Sequence, residues 1–102
     1  MLSAPYFLAT KLEAFDSRGN GDYLASADLE DIVAVINGRA SIADEIAHSA
    51  ADVRDFLRTR TCELLRTEEF TDSLAGHLGG AQSESGRLEI LRERLQAIAA
   101  IA

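Results

Sequence analysis

Residues 5–36, PYFLATKLEAFDSRGNGDYLASADLEDIVAVI, decide the fold. They read as two helices joined by a short glycine-bearing loop. Pro5 suits the first turn of a helix, where its missing N–H costs nothing, and Ser3 is placed to cap it. Over 6–17, Leu8, Leu12 and Phe15 fall at i, i+4 and i+7 and make one apolar face. Phe7, Lys11, Ala14 and Arg18 form the stripe beside it. Gly19, Asn20 and Gly21 end the helix, because glycine accepts the left-handed conformation that closes a last turn. Ser26 or Asp28 caps the second helix, whose apolar stripe is Leu29, Ile32, Val33 and Ile36. Asn37 and Gly38 end it.

The same period continues downstream. Ile42 and Ile46 mark a short third helix within 39–48. Ser49 or Asp52 caps a longer fourth helix reaching about Arg66, with Val53, Phe56, Leu57, Leu64 and Leu65 inward. Thr67 caps a fifth segment carrying Phe70, Leu74 and Leu78. Residues 81–86 are small and polar and read as a mobile loop. A last helix from about Ser85 turns Leu88, Leu91, Leu95 and Ile98 inward. No strand-like alternation, internal repeat or domain boundary is visible. The expected class is all-α, a bundle of five or six short helices forming one domain over 1–102.

The composition is that of a globular chain. Of its 102 residues, 47% are apolar and only 6% aromatic, without Trp, so Leu, Ile, Val and Ala must build the core around four Phe. The formal charge of −7 argues against tight nucleic-acid binding by this chain alone, which rests on Lys and Arg meeting phosphate. Arg54, Arg58 and Arg60 cluster, but Asp52, Asp55 and Glu63 are spaced to balance them on a solvated face. One cysteine, Cys62, cannot form an internal disulfide and reads as a small core residue. No apolar run is long enough for a membrane span, and the N-terminus lacks the charged region of a signal peptide. The expected compartment is the cytoplasm.

His48 and His77 have no metal-ligand spacing around them, and no HExxH, CxxC or calcium loop is present. The one constellation left is Lys11, Arg18, Asp28 and Asp31. Lys11 is the only lysine among ten basic residues. Lys11 and Arg18 lie about 10.5 Å apart along a helix axis. Asp28 and Asp31 share a face at the start of the next helix, where negative charge is favoured. An antiparallel packing would bring Arg18 nearest the Asp pair. Two outcomes stay open at this point. One is structural: ion pairing and surface cations with buried stems. The other is functional, with Lys11 and Arg18 facing a polyanion such as a nucleoside triphosphate and the Asp residues orienting them or helping to hold Mg²⁺.

The run ATKLEAFDSR at 9–18, followed by GDYLASADLEDIVAVI at 21–36, resembles the distal motifs of the AbiEii-like nucleotidyltransferases, the abortive-infection toxin type. The shared pattern is a helix with Lys, an Arg seven residues on, a loop, and a helix opening with paired Asp. Lys11, Arg18, Asp28 and Asp31 match it one for one. Gly76-His77-Leu78 and the leucine-rich last helix are similar to one branch of the family. The resemblance implies that Lys11 and Arg18 contact nucleotide phosphates and that Asp28 and Asp31 form a supporting acidic motif.

The chain also departs from the family pattern. The Gly-Ser turn and the metal-binding carboxylate strand, which precede the Lys helix in that family, have no counterpart here. Phosphoryl-type transfer relies on metal ions and positioning. No nucleotidyl transfer is therefore expected from this chain alone. Mg²⁺ and a nucleoside triphosphate would be bound only with a partner core. Without the sheet, the first helix is expected to leave an apolar face bare, which predicts a homodimer or a separate chain carrying the catalytic core. The competing expectation is a non-enzymatic, oligomeric helical protein, a scaffold or an antitoxin-like partner.

Overall fold

A computed structural model describes residues 3–18, 23, 26–78 and 86–101. The expectations for 19–21 and 81–85 fall outside those residues. Six helices are described: α1 Ala4–Arg18, α2 Ala27–Gly38, α3 Ile42–Ala47, α4 Ala51–Leu65, α5 Glu68–Leu78 and α6 Arg87–Ala99. No strand occurs among the described residues, so the chain is the all-α bundle its periodicity predicts.

Several helix ends follow the local sequence. Ser26 caps α2, its hydroxyl oxygen accepting the Leu29 N–H at 3.2 Å. Gly86 precedes α6 with φ of 85°, a left-handed conformation that suits a residue without Cβ. The start of α4 differs from expectation. Its N-cap is Ala50, with no side-chain cap, rather than Ser49 or Asp52. The Ser49 hydroxyl instead donates back to the Ile46 carbonyl at 2.6 Å, closing α3. Asp52 sits inside the first turn and accepts the Val53 N–H at 2.9 Å. Thr67 likewise turns its hydroxyl back, to the Glu63 carbonyl at 2.9 Å.

Helix α6 packs against α2, α3, α4 and α5, while α1 packs against α2, α3 and α4. Phe70, Leu29, Ile42, Ile46, Leu74 and Leu91 are wholly enclosed. Of the expected inward positions, Phe56, Leu65 and Leu88 are only partly buried, and Thr61 and Ser73 enter the core beside them. Tyr23 joins two elements through its ring, 5.3 Å from Phe15 and 6.4 Å from Phe70.

The apolar face of α1 is covered, contrary to expectation. Leu8, Ala9, Leu12 and Phe15 are all buried, because α2, α3 and α4 occupy that face. Among the described residues Tyr6 is the one large hydrophobic side chain left exposed, at 48%.

Two polar ties between distant segments fix the helices relative to each other. Arg94 donates to the carbonyls of Ile36 at 3.0 Å and Asn37 at 2.6 Å, and Arg87 donates to the Asn37 carbonyl at 2.6 Å. Arg87 also reaches the Asn37 side-chain oxygen from two nitrogens, at 2.8 and 3.0 Å. These cations satisfy the carbonyls at the end of α2, where the helix dipole favours positive charge. On the other side, Arg60 of α4 grips Asp16 of α1 through two nitrogens at 2.6 and 3.1 Å and pairs with Glu63 at 3.0 Å.

Candidate functional site

The site grows from the packing of α1 on α2. Leu8 and Leu12 share one apolar space with Ile32 and Ile36, which fixes how the two helices are aligned. Phe15 meets Tyr23, while Lys11, one turn earlier, meets Asp28 and Asp31. That order of contacts is that of an antiparallel pair. It brings three of the four residues singled out in the sequence together.

The Lys11 ammonium lies 2.8 Å from Asp31 Oδ2, a direct charged hydrogen bond, and 3.7 Å from Asp28 Oδ1. It also stands 5.6 Å from the centre of the Phe7 ring, one turn back on α1, within reach of a cation–π contact. The two carboxylates differ in setting. Asp28 is buried, with its side chain 8% exposed, and Asp31 is half open at 48%. The hydrogen bond that Lys11 donates to Asp31 and the field of both carboxylates raise the Lys11 pKa above its ordinary value, with desolvation working against them. Asp28 lies in the first turn of α2, where the backbone N–H groups also favour its charge.

The expected approach of Arg18 to the Asp pair concerns a side chain outside the described residues. Eight residues, 19–26, separate α1 from α2.

Among the described residues, one ammonium, that of Lys11, stands against the two carboxylates. The Lys11 ammonium reaches an oxygen of each carboxylate. Among the described residues no group of three or more His, Cys, Asp or Glu is placed to hold a metal ion. The arrangement can lock α1 to α2 and can present a half-open carboxylate, Asp31, beside a partly exposed cation.

The other candidates resolve into local roles. The arginines of α4 do meet acids: Arg54 and Arg58 both reach Asp55, at 3.4 and 3.9 Å, and Arg60 reaches Glu63 and Asp16. Cys62 is partly buried and its thiol donates to the Ala99 carbonyl at 3.4 Å. His77 lies 2.7 Å from the Tyr23 carbonyl through Nε2, and His48 lies 2.7 Å from the Asp44 carbonyl through Nδ1. Among the described residues no helix is long and apolar enough to cross a membrane.

Comparison with known proteins finds no match among protein families, curated proteins or solved structures.

Proposed function

We propose that this chain is a helical interaction module, similar in its Lys11–Asp28–Asp31 helix pair to the helical part of AbiEii-like nucleotidyltransferases. It works by packing against a second protein rather than by holding a nucleotide alone. The observation that carries this reading is the closure of Lys11 by two carboxylates. A triphosphate approaching the ammonium would have to displace Asp31 from its 2.8 Å contact. The same cluster sets the angle at which α1 and α2 face a partner. In this reading the second protein is a chain with a catalytic core, and a homodimer is the alternative assembly.

A second reading, direct contact with nucleotide phosphates, draws on one observation. The Lys11 side chain is 26% exposed, so the ammonium is reachable from solvent. One experiment separates the two: titration of the purified protein and its Lys11→Ala variant with ATP, GTP, CTP and UTP in Mg²⁺. The expected result is no saturable binding at millimolar nucleotide. Saturable binding that disappears in Lys11→Ala would overturn the interaction-module reading.

A further inference from the structure

We propose that the groove between α1 and α4 docks a cationic amphipathic helix of a partner protein. The groove measures about 320 Å³. Its floor is Ala9 and Val53, both buried, and its walls are Tyr6 and the partly buried Phe56. Tyr6 is the large hydrophobic side chain that the rest of the bundle leaves exposed. Glu13 on α1 and Asp52 on α4 supply an acidic rim.

The charge of that rim names the occupant. Acidic residues elsewhere on these two helices are matched: Asp16 by Arg60, Asp55 by Arg54 and Arg58. Among the described residues neither Glu13 nor Asp52 has such a cation, although Asp52 accepts the Val53 N–H. An apolar floor between two unmatched carboxylates is complementary to a helix with Leu-type anchors flanked by Lys or Arg. The faces of Tyr6 and Phe56 add a surface on which an incoming cation can rest. A second copy of this chain is the poorer fit, since it brings a formal charge of −7 to the same acidic rim.

This inference rests on the interaction-module reading and names its contact surface. The probe is a fluorescein-labelled helical peptide of about 14 residues, four turns, with Leu on one face and Lys on the other. It is titrated by anisotropy at low salt against the full chain, and a control peptide carries Glu at each Lys position. The lysine peptide should bind and the glutamate peptide should not. Binding should weaken about tenfold in Tyr6→Ala and by a similar factor in Glu13→Gln/Asp52→Asn. The same loss of charge on α5, Glu69→Gln/Asp72→Asn, should leave binding within about twofold. Four results would each overturn the proposal. They are equal binding of both peptides, wild-type affinity in Tyr6→Ala, equal weakening by the α5 pair, or a dimer in sedimentation that Tyr6→Ala dissolves. The two readings fail separately. Lys11-dependent nucleotide binding would end the broader one, whereas a peptide indifferent to Tyr6 would end only this one.

Discussion

Arg94 holds the end of α2 from a helix more than fifty residues away, and removing its guanidinium is the sharpest test of how the bundle is fastened. Arg94→Met keeps the aliphatic stem and deletes the donors. The Ile36 carbonyl then loses this donor, while the Asn37 carbonyl keeps Arg87 at 2.6 Å. One charge-assisted hydrogen bond at a partly buried site is worth about 1.5 kcal/mol net. A cation at a helix C-terminus adds about 0.5 kcal/mol. The expected cost is their sum, about 2 kcal/mol. With a urea dependence of about 1.5 kcal/mol per molar, the midpoint of unfolding falls by about 1.3 M at unchanged slope. Arg94→Lys restores the charge but not the flat two-carbonyl reach, and should recover about half of the loss. Arg87→Met/Arg94→Met should cost about 1 kcal/mol more than the two single changes added, because only the double variant takes both arginine donors from the Asn37 carbonyl. Far-UV circular dichroism in urea reads the wild type and the four variants. An Arg94→Met midpoint within about 0.3 M of the wild type would refute the reasoning.

Phe70→Ala should be the most damaging core change. It empties a site of zero exposure and removes the edge contact with Tyr23, costing about 3–5 kcal/mol in a thermal or urea melt. Asp16→Asn should cost about 0.5–1 kcal/mol, and a double-mutant cycle with Arg60→Met should return a coupling of that size, since the pair is partly exposed. The Lys11 cluster should show its sign in alkali. The folded pKa is raised above the ordinary 10.5, so the stabilisation is complete below that pH and is lost as pH rises through the folded value. The melting difference between wild type and Lys11→Met should therefore be constant at neutral pH and close in strong alkali. Glu45, held down by Arg39 and Ser41, runs the other way. The difference between wild type and Glu45→Gln should be full at neutral pH and close as pH falls below 4.5 through the folded value.

The helices were legible because each carries its own period of apolar residues, and burial of Leu8, Leu12, Phe15, Ile32 and Ile36 needed nothing beyond that spacing. The gathering of Lys11, Asp28 and Asp31 was legible as a set, though not the 2.8 Å contact of Lys11 with Asp31. Spacing fixes which face a side chain takes, whereas the packing of Leu8 and Leu12 against α2 decides which turn it meets. The α4 cap was misplaced because Ser49 and Asp52 each had a nearer backbone partner than the one a capping rule assigns. The bare face expected on α1 rested on the family resemblance, and local pattern could not show that α3 and α4 would cover it. The grips of Arg60 on Asp16 and of Arg87 and Arg94 on Asn37 join residues 44, 50 and 57 positions apart, beyond any helical period.

That last tie has a consequence for the order in which the chain takes shape during synthesis. Helix α2 emerges from the ribosome well before Arg87 and Arg94 exist, so water must solvate the carbonyls of Ile36 and Asn37 in the meantime. The segments that α6 touches, α2, α3, α4 and α5, can coil and collapse loosely as they appear. They acquire their final mutual angles only when the last helix arrives and displaces that water. A chain truncated before Arg87 should thus be helical yet open to protease, and restoring Arg87–Ala99 should close it in one step.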